Sequence, residues 1–278
     1  MLRVGTLIDM RTVIVPLDGS TEAETALPHA RGLAGPDGRI LLVTSIWHGE
    51  PVAPRRYFED RALAVAGDDA QTRVVVEVRP SEAILGLAAE IPDSTVCMAA
   101  HGRNALGRAV LGSTAEAVVR GSDRPVVLVG PRAGFDRARA GAHNLLLAVD
   151  DPATADLLVP HAIDLADRLH LHLWTVQALA PAPYPFTPEA DVPATEREQA
   201  EGLGRAVELL AERAHGTESK ALDAVEPADA IAHFAADLPA SLIVTGSHGR
   251  TGAARFALGS VAMRIVHRAP CPVVVVKQ

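Results

Sequence analysis

Val244-Thr245-Gly246-Ser247-His248-Gly249-Arg250, with Gly259-Ser260 starting nine residues after Arg250, decides how this chain is read, because the pattern occurs twice. Its first copy is Met98-Ala99-Ala100-His101-Gly102-Arg103 followed by Gly112-Ser113, 147 residues earlier. The same offset carries Pro80 to Pro227, Ile84 to Ile231, Leu111 to Leu258 and Pro125 to Pro272. Matches spread over such a distance mean a duplicated domain. A unit of this length exceeds the tens of residues that build solenoids, so each copy carries its own core.

Each copy reads as strands alternating with helices. In the first, Thr12 to Leu17 is apolar and β-branched, Glu22 to Leu33 has helical spacing, and Arg39 to Ile46 is a second apolar run. Arg73 to Val78, a helix near Ser81 to Glu90, Thr95 to Ala100, a helix from Ser113 to Arg120 and Val126 to Val129 complete it. The second copy has strands at Leu145 to Val149, Leu171 to Val176, Ser219 to Val225, Leu242 to Thr245 and Val273 to Val276. This order predicts an α/β protein of two tandem doubly wound domains, each a five-stranded parallel sheet with helices on both faces, Rossmann-like in outline. The expected boundaries are 1–131 and 144–278, with 132–143 as linker. Before the third strand the offset is only 131 or 132, as Asp18 to Asp150 and Thr44 to Thr175 show, so extra residues enter the second copy. The proline-rich segment Ala178 to Ala194 is their expected place.

Composition narrows the function. The net charge of −8 argues against nucleic acid, which needs a concentrated basic face. No apolar run approaches the ~18 residues of a membrane span, and the first residues lack the regions of a signal peptide, so a cytoplasmic protein is expected. Cys97 and Cys271 have no ligand spacing and read as buried small hydrophobes. His170 and His172 have no third ligand nearby, so no metal site is expected there. Lys220 and Lys277 are the only lysines, which excludes a Walker A loop. Any phosphate bound here is held by backbone amides and arginine.

Sheets of this kind bind ligands outside the carboxyl ends of the strands, where strand order reverses. Gly246 and Gly249 follow the fourth strand, where a missing Cβ permits tight turning and close approach of a ligand. Gly259-Ser260 then opens a helix whose first amides and dipole can receive a phosphate. Ordinary capping competes with this reading, since Ser113-Thr114-Ala115-Glu116 has the form of a capping box. Capping alone does not require the glycines upstream.

On these motifs the chain resembles the universal stress protein family over both halves. Nucleotide-binding members carry Gly-x2-Gly-x9-Gly-[Ser/Thr] after the fourth strand and an aspartate ending the first. Gly246, Gly249, Gly259, Ser260 and Asp150 match in the second half, and Gly102, Gly112, Ser113 and Asp18 in the first, where Ala99 replaces the first glycine. The resemblance implies ATP, with Mg²⁺, as ligand. Asp18 and Asp150 would reach the ribose or adenine side, and backbone around Ser45 and Val176, closing the second strands, would meet the adenine edge. The glycines and serines would surround the phosphates, with Thr114 and Val261 lending helix-start amides and Arg103 and Arg250 beside them. Asp150-Asp151-Pro152 replaces Asp18-Gly19-Ser20, so the first loops differ.

His101-Gly102-Arg103 and His248-Gly249-Arg250 invite a catalytic reading, with histidine as base and arginine stabilising phosphoryl charge. No nucleophile elbow, HExxH or magnesium carboxylate pair accompanies them, so hydrolysis is expected to be slow or absent. The family resemblance implies a regulatory nucleotide sensor for stress or growth arrest, against a slow ATP hydrolase or phosphoryl-transfer enzyme and an interaction scaffold without nucleotide. The fifth strands, Val126 to Val129 and Val273 to Val276, are apolar sheet edges that need cover. Pairing them with each other would join the halves as an internal pseudo-dimer. A homodimer through another face and unknown protein partners are compatible with the same sequence.

Overall fold

The structure, a computed structural model, describes residues 11–35, 37–46, 71–76, 78–101, 111–134, 143–179, 194–213, 215–238, 240–247 and 258–277. The first half runs β1 (Thr12–Pro16), α1 (Thr21–Glu24), α2 (Ala26–Ala34), β2 (Arg39–Ile46), β3 (Gln71–Val76), α3 (Pro80–Glu90), β4 (Ser94–Ala99), α4 (Ser113–Gly121) and β5 (Val126–Val129). The second runs β6 (Asn144–Ala148), α5 (Pro152–Leu169), β7 (His172–Leu179), α6 (Ala194–Glu212), β8 (Glu218–Asp223), α7 (Pro227–Asp237), β9 (Ala240–Gly246), α8 (Ser260–Arg268) and β10 (Val273–Val276).

The ten strands of the described residues form one sheet in the order β3-β2-β1-β4-β5-β10-β9-β6-β7-β8. Within each half every pairing is parallel. The halves meet through an antiparallel ladder, with Val273 opposite Leu128, Val274 opposite Val127 and Val275 opposite Val126. The expected pairing of the fifth strands is therefore present. It turns two sheet edges into interior, and successive residues face opposite layers. Val127, Val129, Val274 and Val276 enter one core; Val126, Leu128, Val273 and Val275 enter the other. The outer edge strands carry exposed Arg73 and Lys220, which discourage further pairing.

Local chemistry explains the helix starts. Pro80, Pro152 and Pro227 open α3, α5 and α7, where a missing N–H costs nothing. Asp151 caps α5 by accepting from the Thr154 amide at 2.7 Å. Two expectations need correction. The helix predicted over Glu22 to Leu33 is divided at Thr25, whose hydroxyl donates to the Glu22 carbonyl at 2.6 Å, while Pro28 removes the amide that would bond Glu24. Ala178 and Leu179, placed in the proline-rich insertion, belong to β7 and pair with Leu222 and Asp223. Residues 180–193 lie outside the described residues. His170 caps the end of α5 at φ 52°, and His172 meets Glu218 at 3.1 Å, so these two histidines face different tasks.

Leu128 is fully buried on the seam. Leu128→Ala should cost about 2–5 kcal/mol, read as a lower urea midpoint, and a loss below about 1 kcal/mol would show that the seam is not a packed core.

Candidate nucleotide site

In each half the order 3-2-1-4-5 places the reversal between the first and fourth strands, so the chain segments leaving β1 and β4, and β6 and β9, flank one crevice. The helix-opening glycines return there through matched hydrogen bonds. The Gly112 amide donates to the Ala100 carbonyl at 2.9 Å, and the Gly259 amide to the Ser247 carbonyl at 2.7 Å. Ala100 and Ser247 are themselves anchored, their amides donating to Val129 and Val276, each at 2.8 Å. Gly112 and Gly259 are thus held at the ends of β4 and β9.

The helix starts are built alike. Gly112 caps α4 with φ −61° and ψ 145°, Gly259 caps α8 with φ −65° and ψ 161°, and among the described residues neither helix start receives a side-chain cap. The capping-box reading of Ser113 is therefore corrected: Ser113 is the first helical residue, and Glu116 reaches forward to Arg120 at 2.6 Å instead of back. The first helical hydrogen bonds begin at Glu116 and Met263, which donate to the Gly112 and Gly259 carbonyls. Amides of Ser113, Thr114 and Ala115, and of Ser260, Val261 and Ala262, precede any helical acceptor. Val261 is 41% exposed at that mouth. The arrangement offers an anion several N–H groups and the positive end of a helix dipole, without a lysine.

Gly246 does not turn the chain, as had been expected; it ends β9 in the ladder opposite Val276. Ala99 holds the equivalent place opposite Val129. Gly102, Arg103, Gly249 and Arg250 lie outside the described residues, as does His248.

The first-strand loops differ in construction. After β1, Asp18 accepts from the Ser20 amide at 2.9 Å and hydroxyl at 2.5 Å, and Gly19 takes φ 83°, a left-handed conformation that suits glycine. After β6, Asp151 replaces that glycine, adopts φ −147° and spends its carboxylate on capping α5. Asp150 sits beside it, half-buried, with its carbonyl accepting from the Gln177 side chain at 2.9 Å. Gln177, 1% exposed, also accepts from the Leu203 amide at 2.9 Å, so one buried amide joins the loop to α6. A Cβ on Gly202 would come within 2.9 Å of the Asp151 Cα, which shows how closely α6 covers this loop. Neither Gln177 nor Gly202 was singled out in sequence; a lone amide following apolar Val176 was the available sign.

Ser45 is next to last in β2, and its hydroxyl donates to the Val78 carbonyl. Val176 does not close its strand: it lies inside β7, fully buried, and its carbonyl accepts from Val149 at 3.0 Å.

His101, the residue before Gly102, does not stand alone at its loop. Its ring lies 4.6 Å, centroid to centroid, from His267 in the last turn of α8, across the seam. The Nε2 atoms of both rings are buried and have no hydrogen-bond partner among the described residues. Burial, and then His101, push the His267 imidazole down from 6.5 to about 4.

Residues 50–130 and 141–277 match the model of the Universal stress protein family. The chain belongs to that family. A universal stress protein of Mycolicibacterium smegmatis is 35% identical over 194 residues, covering 64% of this chain and 59% of that protein. One of Mycobacterium tuberculosis is 29% identical over 184 residues, covering 66% and 61%. The matched region thus spans less than two thirds of the length of these relatives. A universal stress protein structure from Archaeoglobus fulgidus, 18% identical, superposes with a TM-score of 0.68 over 96% of this chain and 98% of its own. The cytoplasmic domain of a prokaryotic cation chloride cotransporter, 12% identical, also shares the fold, with a TM-score of 0.55 over 95% and 94%. Shared architecture does not carry a shared function. Among the described residues no helix is long and apolar enough to cross a membrane.

Two outcomes follow for universal stress protein chemistry in this chain. Gln177→Leu leaves the Asp150 carbonyl and Leu203 amide without their partner, so a loss of about 1–3 kcal/mol is expected in urea unfolding, and an unchanged midpoint would contradict the bridge. His267 has a lowered folded value, so the unfolded chain takes up its proton first as pH falls through 6.5. Its contribution makes stability fall from about pH 6.5 down to about 4 and then level off. Buried His29 and His161, lowered by burial, act in the same sense. His267→Asn should flatten part of the stability difference between pH 7 and pH 5; an identical slope in both proteins would contradict this.

Proposed function

We propose that this universal stress protein binds ATP in both halves, with the triphosphate on the starts of α4 and α8, and acts as a regulatory nucleotide sensor. One observation carries the proposal. Twice, a glycine-started helix without a side-chain cap is cinched to the carboxyl end of the strand beside the reversal point. Ordinary capping would fill those amides with a serine or aspartate side chain; a glycine at the cap position supplies none, which favours a phosphate as their partner. Asp18 follows β1 in the first half and Asp150 follows β6 in the second, and each would meet the ribose or adenine side of its own site. Mg²⁺ would accompany the nucleotide through its phosphate oxygens.

The regulatory reading, placed in the cytoplasm and directed to stress or growth arrest, gains support from the histidine of the first loop. A general base must reach the attacking water. His101 instead meets His267 across the seam with its Nε2 buried. Slow hydrolysis is the competing proposal and would show as steady turnover by the purified chain.

Gly259 and Gly112 have φ values that any residue tolerates, and glutamate at a helix start suits the dipole, so Gly259→Glu and Gly112→Glu should fold. Each should weaken MgATP binding at its own site at least ~10-fold in calorimetry, by putting charge and bulk in the phosphate path. Unchanged affinity in a folded variant would remove that site from the account.

A further inference from the structure

We propose that α8 couples the two nucleotide sites, with the His101–His267 contact as the joint between them; this rests on the nucleotide reading above. One helix touches both places. Its start, at Gly259 and Ser260, forms the phosphate cradle of the second half, and its last turn reaches the first half. At nine residues it is roughly 13 Å long, short and rigid enough to move as a unit.

The far end of α8 is seated closely. The Val266 carbonyl rests against Gly130, just after β5, where an added Cβ would lie 1.8 Å away. Ala262, Ile265 and Val266 are buried in the core beneath. A shift of α8 caused by an anion at its start therefore presses on first-half backbone and on His101, the residue preceding Gly102. The charged neighbours of His267 along the helix are engaged with α7: Arg264 pairs with Glu226, and Arg268 with Asp229 at 2.9 Å. The rings of His101 and His267 instead face each other with both Nε2 atoms unsatisfied. Two unpaired buried nitrogens make this arrangement costly, so a displacement that lets either ring find a partner is favoured, and the contact is where we place the second arrangement.

The device is not symmetric. The repeat places Arg120 where His267 stands, and Arg120 is held by Glu116 at 2.6 Å. Lys277, equivalent to Gly130, donates to the Arg120 carbonyl at 3.0 Å. The glycine seat at Gly130 thus has a lysine–carbonyl bond as its counterpart in the other half.

The test measures MgATP binding at the first site by calorimetry in the full-length chain and its variants. In the wild-type background, blocking the second site with the bulky but uncharged Gly259→Leu should shift first-site affinity at least ~5-fold relative to the affinity with that site filled. In a His267→Ala background, and in His267→Asn as a milder replacement, the same closure should change it less than ~2-fold. Circular dichroism and the urea midpoint confirm that each variant is folded. A shift of equal size with and without His267, or no shift in the wild-type background, overturns the coupling while leaving nucleotide binding intact. Failure of every folded chain to bind MgATP overturns the nucleotide reading, and the coupling with it.

Discussion

Antiparallel pairing of β5 with β10 is the constraint on which the rest of the molecule depends. A parallel sheet buried on both faces has apolar strands, and its terminal strand is a hazard unless something pairs with it. Here each copy of the duplicated unit supplies the partner for the other. The ladder of Val126 to Leu128 with Val273 to Val275 continues both hydrophobic layers through the middle of the molecule. Its antiparallel direction, with Val127 opposite its repeat equivalent Val274, relates the halves by a pseudo-twofold axis. That geometry brings the last turn of α8 against Gly130 and His101.

The candidate sites draw on the backbone more than on side chains. Two hydrogen bonds, from Gly112 to Ala100 and from Gly259 to Ser247, close long loops and hold uncapped helix starts at the strand ends. Such a cradle tolerates sequence divergence, since amides are present whatever side chain is attached. It also explains how a protein of net charge −8 with two lysines could receive a triphosphate: the favourable field comes from helix dipoles and oriented N–H groups. The halves diverge where side chains do act. Gly19 turns the first loop, whereas Asp151 caps α5 directly and Gln177 ties the second loop to α6.

Much of this was legible in the sequence because strand content, duplication and glycine spacing are local signals. Val273 to Val276 has no other sensible reading than a buried strand, and the need to cover it and its counterpart implied their pairing. Other features depend on context that spacing does not encode. Ser113-Thr114-Ala115-Glu116 satisfies the capping-box pattern, yet the tether from Gly112 to Ala100 starts the helix one residue earlier and leaves the serine inside it. Gly246 reads as a turn and is extended, because β9 continues to pair with β10 through that residue. Val176 reads as a strand end, but β8 supplies partners as far as Leu179. The contact of His101 with His267 was hidden because the repeat aligns His267 with Arg120, and only the packing of the two halves brings the rings together.

The central claim, that these helix starts hold ATP, is tested most directly by denaturing protein purified without added nucleotide and identifying what it releases by mass-calibrated chromatography, followed by titration of the stripped protein with MgATP. The account predicts released ATP, or saturable MgATP binding by the stripped chain, approaching two per chain. A folded protein that releases no nucleotide and binds no added MgATP would contradict it and leave an interaction scaffold as the better description.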